Sequence, residues 1–224
     1  MRSVETLSRA VLLCAALAAL GGCAAVSEPF KAIQQSLTPS TSTATPAAAV
    51  VAKEAPVAPA TQSAFDAAAR ALRAGRNDEA ERGFRALVQA NPELGGPHAN
   101  LGVIYRQAGK LPEAVAELEH AVKLNPKQPI YFNQLGVTYR QQGQFEKARE
   151  AYEKAITLDA NYAAPLLNLG ILNDLYLNDS ARALELYGRY IALTPNGDAI
   201  VAKWVVDLKN RKPTTVATSR KEKA

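Results

Sequence analysis

Very few side chains in this sequence could carry catalytic chemistry. The chain has two histidines, His98 and His120, and two cysteines, Cys14 and Cys23. Neither histidine has a cysteine or carboxylate at the spacing that metal ligands need, and no serine stands in a nucleophile-elbow motif. No glycine-rich phosphate-binding loop is present. The sequence therefore predicts a protein that is not an enzyme and that needs no metal or other cofactor.

The distribution of charge limits the choice of partner. The 224-residue chain has a formal charge of +5, which by itself could indicate an anionic partner. The excess lies at the two ends, because residues 209–224 contain six basic residues against one acidic residue and residues 1–10 add one more net positive charge. The remainder has a net charge of about −1 and no basic surface, so we expect no nucleic-acid partner.

The N-terminus has the pattern of a targeting segment. Two arginines precede an eleven-residue apolar run at residues 10–20, which is too short to span a bilayer. The run leads into Leu-Gly-Gly-Cys at residues 20–23, which resembles the bacterial lipobox. The resemblance implies cleavage before Cys23 and diacylation of its sulfur. An uncleaved membrane anchor or ordinary secretion is the alternative interpretation.

Residues 1–22 are therefore predicted to be a lipoprotein signal peptide, and residues 23–60 a lipidated N-terminus with a disordered Pro/Ala/Thr linker. This composition cannot bury a core, so the linker would act as a flexible tether. Ala24, not an aspartate, follows Cys23. In lipoproteins of diderm bacteria this resemblance implies an outer membrane location facing the periplasm, with the membrane as partner through the acylated cysteine.

A 34-residue period organises the rest of the chain. The Leu-Gly pair at 101–102 recurs at 135–136 and at 169–170, and Tyr105 recurs as Tyr139. A fixed period of this size indicates stacked supersecondary units. The repeated residues resemble the tetratricopeptide repeat (TPR), a helix-turn-helix unit of that length. The resemblance implies an all-α fold: a right-handed TPR solenoid of four repeats followed by a C-terminal capping helix.

The repeat pattern also sets the predicted boundaries. The four repeats are 61–94, which is divergent, 95–128, 129–162, and 163–197, which has one inserted residue. Apolar residues then fall on one helical stripe, which predicts a capping helix over 198–212. Trp204 on that stripe is expected to cover the last repeat, and an exposed tryptophan for partner binding is the alternative. Residues 213–224 are predicted to be a basic disordered tail.

The first helix of each TPR unit lines a concave groove, and the resemblance places the groove on particular side chains of this sequence. They are Asn100, Val103, Arg106, Gln107, Asn133, Gln134, Val137, Arg140, Gln141, Leu167, Asn168, Ile171 and Asp174. The result would be an apolar floor edged by amides and two arginines in register, which suits an extended or helical peptide with acidic groups. A solvated face that binds nothing specific is the alternative.

One departure from the family pattern argues against a particular class of partner. TPR proteins that hold chaperone C-termini use Lys and Asn at two groove positions that are Phe65 and Ala69, or Ala99 and Val103, in this chain. That carboxylate clamp is absent, so chaperone C-termini are not expected to bind.

The sequence thus predicts a non-enzymatic protein-protein interaction scaffold, a lipid-anchored adaptor that binds a protein or peptide partner and no small-molecule substrate. The order of anchor, linker and repeat array resembles lipoproteins that assemble an envelope complex such as a pilus or secretion apparatus. A regulator or recruiter of a periplasmic cell-wall enzyme is the alternative.

Overall fold

The computed structural model describes residues 57–194 and 197–211, and within these ranges all regular structure is helical. The helices are α1 Pro59–Arg73, α2 Asn77–Ala90, α3 Gly95–Gln107, α4 Leu111–Leu124, α5 Pro129–Gln141, α6 Phe145–Leu158, α7 Ala163–Leu172 with a π-helical turn at Asn173–Leu177, α8 Ser180–Leu193 and α9 Ala199–Asn210. The predicted signal peptide, Cys23, nearly all of the predicted linker and the predicted basic tail lie outside the described residues.

Proline and glycine mark the helix ends. Proline lies in the first turn of α1, α4 and α5, where its missing N–H costs nothing. For this reason α1 can begin at Pro59, two residues inside the segment predicted as linker. Gly75, Gly109 and Gly143 have φ values of 73° to 75° in the turns between paired helices. The left-handed backbone conformation of these turns favours glycine.

The helices form four consecutive pairs, α1 with α2 through α7 with α8, and each pair packs against the next. The first helices of successive pairs also touch, since α3 contacts α5 and α5 contacts α7. Short turns make each pair an αα-hairpin. The structure is therefore the predicted all-α stack of four helix-turn-helix repeats, followed by α9.

Glycines in α5 and α7 allow the two helices of a pair to approach closely. A Cβ atom on Gly136 would lie 2.6 Å from the ring of Tyr152, and one on Gly170 would lie 2.6 Å from the ring of Tyr187. Tyr139, buried in the same cluster, reaches the preceding repeat, where its hydroxyl donates to Glu119 of α4. The aromatic rings that pack on the glycines come from the second helix of the same pair.

The inserted residue of the fourth repeat is accommodated at the end of α7. The backbone widens there into the π-helical turn, which ends at Asn178 in the left-handed conformation with φ of 54°. The N–H of Asp179 donates to the carbonyl of Asn173 at 2.9 Å. A π-helical turn is the usual way to add one residue to a helix without breaking its hydrogen bonding.

Helix α9 caps the stack. The Asp198 side chain accepts from the backbone N–H groups of Ile200 and Val201 at 3.0 and 3.1 Å, which starts the helix. Val201 is buried in a cluster with Ile171 and Tyr187. Trp204 is partly buried beside this cluster, with its ring centroid 6.0 Å from that of Tyr187. The tryptophan thus covers the last repeat, as predicted.

None of the helices in residues 57–194 and 197–211 has the length and apolar character needed to cross a bilayer.

Candidate peptide-binding groove

The side chains predicted to line the groove come from α3, α5 and the α7 segment with its π-helical turn, at positions that repeat every 34 residues or nearly so. Their exposure differs widely. Gln107 and Gln141 are exposed at the ends of α3 and α5. The intermediate set is Arg106, Gln134, Val137, Arg140, Leu167 and Asn168, and the buried set is Asn100, Val103, Asn133, Ile171 and Asp174. The surface that a ligand can reach is thus smaller than the predicted set.

The amides of Asn100, Asn133 and Asn168 have structural partners. Asn100 donates to the carbonyl of Gly96 one turn earlier in α3, at 2.9 Å. Asn133 donates to the hydroxyl of Tyr162 at 3.2 Å, and Asn168 donates to the side-chain oxygen of Asn133 at 3.0 Å. The last two bonds tie α5 to α7 and to the turn before α7. Each of these amides thus uses one of its two N–H donors within the fold, where it helps to position the helices.

Of the three residues predicted as an apolar floor, only Val137 keeps an appreciable exposed surface. Val103 is 7% exposed and Ile171 is 2% exposed. Ile171 is covered by the packing of α9, as part of the cluster that contains Val201. The capping helix therefore removes the fourth-repeat end of the predicted floor from solvent.

Asp174 is also engaged within the fold. Its carboxylate accepts from Arg211, just after α9, at 2.8 Å, and lies 3.5 Å from the hydroxyl of Tyr187. Burial raises the pKa of Tyr187, and the neighbouring Asp174 carboxylate raises it further. Asp174 thus holds the capping helix in place.

The two arginines differ from Asp174 because their charges are not paired with an opposite charge within the described residues. The Nη2 atom of Arg106 donates to the amide oxygen of Gln134 at 3.1 Å. The Nε atoms of both Arg106 and Arg140 are buried without a hydrogen-bond partner, and neither guanidinium pairs with a carboxylate in the part of the chain that the structure describes. Burial lowers the pKa of Arg106, the nearby Tyr152 raises it, and the positive charge of Arg140 lowers it again. Two like charges therefore lie close together without compensation.

Tyr152 of α6 completes this cluster. Its side chain is fully buried, and its hydroxyl has no partner in good hydrogen-bond geometry among the residues described. Burial raises the pKa of Tyr152, whereas the guanidinium groups of Arg140 and Arg106 lower it. The hydroxyl therefore lies within electrostatic reach of both arginines. We name Arg106, Arg140 and Tyr152 the arginine–tyrosine cluster.

Sequence reasoning missed Tyr152 because its repeat position is normally occupied by a large packing residue. The equivalent residue of the preceding repeat is Leu118, which needs no polar partner. A tyrosine in the same buried position brings a hydroxyl that does need one. That difference between adjacent repeats was the available signal.

The two histidines lie together at the second repeat. His98 is buried, its Nδ1 is 2.7 Å from a carboxylate oxygen of Glu117, and its ring stacks on His120 with centroids 4.2 Å apart. His98 thus packs in the interior of the second repeat. Within residues 57–194 and 197–211, no group of three or more His, Cys, Asp or Glu side chains is arranged to hold a metal ion.

Comparison with known proteins supports the repeat assignment. The family model for the TPR repeat matches residues 102–142 and 136–173. No curated protein sequence matches the chain closely.

Several solved structures share the fold. Pseudomonas aeruginosa pilF is 22% identical with a TM-score of 0.63, over 67% of this chain and 68% of that one. A MamA crystal structure is 22% identical with a TM-score of 0.57, over 64% of this chain and 82% of that one. An O-GlcNAc transferase mutant from Thermobaculum terrenum is 23% identical with a TM-score of 0.56, over 59% of this chain and 26% of that one. At such identities the likeness shows the fold alone.

Proposed function

We propose that this chain, which is a tetratricopeptide repeat protein, acts as a non-enzymatic scaffold. It binds a protein or peptide partner on the face formed by α3, α5 and α7. Stacked repeats present an extended surface rather than an enclosed cavity. Such a surface suits a peptide segment better than a small molecule, which is usually bound in a deep, mostly apolar pocket.

The observation that carries this proposal is the uncompensated charge of Arg106 and Arg140. Desolvating a guanidinium is costly unless it is paired. The arginines of the second helices are different: Arg149 pairs with Glu146 and Arg182 pairs with Glu185, within single helices. The first-helix face of the second and third repeats thus has buried donors that a partner can satisfy.

The rest of the reachable surface fits a peptide. Gln107 and Gln141 are exposed and offer both donors and acceptors to a peptide backbone. Val137 lies between them in the sequence and supplies apolar contact. Backbone hydrogen bonding together with shallow apolar contact is the common pattern of peptide recognition.

The same proposal includes an anchor. The lipobox resemblance at residues 20–23 supports diacylation of Cys23 and an outer membrane location that faces the periplasm. From there the scaffold would serve an envelope complex such as a pilus or secretion apparatus. The support for the anchor, the location and the complex is the sequence resemblance.

Site-specific photocrosslinking in cells tests the groove. The full chain is produced with p-benzoylphenylalanine in place of Gln107 or Gln141, and, as a matched control, in place of the exposed Lys154 on α6. We expect discrete crosslinked protein products from the two α3 and α5 positions and not from the α6 position. Equal crosslinking at all three positions, or none at the first two, contradicts the groove assignment.

The identity of the crosslinked protein then separates the candidate functions. A pilus or secretion component supports the assembly adaptor, and a cell-wall enzyme supports the regulatory alternative.

A separate experiment tests the anchor. Metabolic labelling with a palmitate analogue should mark the wild-type chain and not Cys23→Ala, and globomycin should block its processing. Labelling that survives the substitution would overturn the lipoprotein assignment while leaving the groove untouched.

A further inference from the structure

The geometry points to a carboxylate-binding site: we propose that Arg106, Arg140 and Tyr152 together receive the acidic side chain of an aspartate or glutamate in the partner. This inference rests on the proposed function, since it names the group that the groove recognises. It also gives a role to three buried polar atoms that have no hydrogen-bond partner in good geometry within the described chain: the Nε atoms of Arg106 and Arg140 and the hydroxyl oxygen of Tyr152.

The charge of the cluster is not compensated within the fold. Exposed arginines of the second helices pair with glutamates three or four residues away, as Arg182 does with Glu185 at 2.6 Å. Such pairs cost little to form and contribute little. Arg106 and Arg140 are more deeply placed, where an unpaired charge costs more, yet no carboxylate of the described chain reaches them. The compensating group therefore has to come from outside these helices.

The three side chains also converge on one place. Arg106 and Arg140 occupy the same position in successive repeats, 34 residues apart, on helices that contact each other, and their charges interact. The ring of Tyr152 packs on Gly136 of α5, one helical turn before Arg140, and its hydroxyl interacts electrostatically with both guanidiniums. A negative charge near this hydroxyl would therefore interact with both guanidiniums.

A carboxylate fits the donors of the cluster. Guanidinium groups present paired N–H donors that match the two oxygens of a carboxylate. The Nε–H groups of both arginines are buried donors without partners in the described chain, and the tyrosine hydroxyl can donate a third hydrogen bond. Gln134 holds Arg106 through one Nη2 contact at 3.1 Å, so the guanidinium is already oriented. Preorganisation of this kind lowers the entropic cost of binding.

The positive site also has a boundary. The residue at the next equivalent position along the stack is Asp174, and its charge is compensated by Arg211. The site is therefore limited to the second and third repeats. It should bind a single acidic side chain and not a long run of negative charge.

Arginine-detected NMR of the full chain tests this inference with defined probes. The Nε–H signals of Arg106 and Arg140 are followed during titration with N-acetylglutamate α-amide, with N-acetylglutamine α-amide and with methyl phosphate. We expect saturable shifts of both signals with the glutamate probe and none with the glutamine probe. Arg149, which is exposed and paired with Glu146, serves as the internal control and should show only a small non-saturating drift.

Variants assign the roles of the three residues. Arg140→Gln should weaken binding of the glutamate probe by about tenfold or more, because a charge-assisted pair is lost. Tyr152→Phe keeps the packing ring and should weaken binding by about three- to tenfold. Arg149→Gln should change nothing. Circular dichroism of each variant checks that the helices remain folded.

Three results would overturn the inference: no saturable shift at Arg106 and Arg140, equal shifts at Arg149, or tighter binding of methyl phosphate than of the carboxylate. Its failure is distinguishable from failure of the proposed function. Crosslinks at Gln141 without a carboxylate response would keep the groove and reject the site.

Discussion

Asp174 and Arg211 form an ion pair at 2.8 Å across 37 residues of sequence, and it joins the turn after α7 to the end of the capping helix. The Asp174 side chain is 8% exposed and that of Arg211 is 52% exposed. Loss of one partner should therefore lower the free energy of unfolding more than loss of the other. Removing Arg211 leaves a buried carboxylate without its cation, whereas removing Asp174 leaves an arginine that water can solvate.

We predict that Arg211→Ala lowers the free energy of unfolding by about 1–2 kcal/mol, more than Asp174→Asn does, because the penalty of an unpaired buried charge exceeds that of an exposed one. Lys209→Ala is the matched control, since Lys209 lies in the last turn of α9 and is exposed. Urea unfolding of the two single variants and the double variant would measure the coupling. If Arg211→Ala and Lys209→Ala cost the same, the ion pair does not hold the cap.

The close approach of α5 and α6 should be sensitive to one methyl group. Gly136→Ala places a Cβ 2.6 Å from the ring of Tyr152, so we predict a loss of about 1–3 kcal/mol in the free energy of unfolding. A Cβ added at Gly188 in α8 would have no neighbour within 4 Å, and Gly188→Ala should stabilise by roughly 0.5–1 kcal/mol through helix propensity. Thermal unfolding of the two variants measures the contrast. Destabilisation of similar size at both sites would mean that packing is not the cause.

The arginine–tyrosine cluster should lower the free energy of unfolding of the ligand-free protein. Burial lowers the pKa of Arg106, and Arg140 adds like-charge repulsion. We therefore predict that Arg106→Met raises the free energy of unfolding by about 0.5–1 kcal/mol in the absence of ligand and abolishes the response to the glutamate probe. Arg149→Met is the surface control and should change stability by less than about 0.5 kcal/mol. A strong loss of stability in Arg106→Met would show that the arginine is structural.

Alkaline pH should weaken the contact between α8 and the start of α9. The hydroxyl of Tyr190 donates to Asp198 at 3.1 Å. Burial raises the pKa of Tyr190 to about 12, with a further increase from its hydrogen bond to Asp198. In the unfolded chain its pKa returns to about 10. Between these values the folded state binds more protons than the unfolded state, so stability falls as pH rises.

The contribution of Tyr190 is therefore complete below about pH 10 and is lost as pH rises towards 12. We predict that Tyr190→Phe flattens the decline in the free energy of unfolding above about pH 10, measured by urea unfolding at a series of alkaline pH values. Other tyrosines contribute to the decline in both proteins, so the comparison isolates Tyr190. Parallel pH profiles for the two proteins would reject this role.

Much of the fold could be predicted because the features that define each repeat depend on residues close together in sequence. Gly109 and Gly143 mark turns whose backbone conformation other residues rarely adopt, and proline near the start of α5 marks a helix end. The 34-residue period then requires the same hairpin in each repeat. These features depend on neighbours in sequence, so one sequence is sufficient to read them.

The candidate groove could be predicted only as a set of positions. The period placed Asn133 and Asp174 on the first-helix face, but their partners are Tyr162 and Arg211, which lie across a turn and beyond the capping helix. Ile171 was assigned to the same face, and α9 covers it. Whether a side chain on this face is free depends on groups that are distant in sequence, and periodicity does not specify those groups.

The sequence by itself determined that this protein is a stack of helical hairpins, because turn glycines, prolines and a fixed apolar period act locally. Only the tertiary structure decided which polar groups are left for a ligand. Packing against α9 satisfies Asp174, the contact between α5 and α7 satisfies Asn133, and the ring of Tyr152 on Gly136 brings a hydroxyl to two arginines that nothing in the described chain neutralises. Charge compensation is a property of three-dimensional neighbours, and for this reason the candidate site became visible only in the fold.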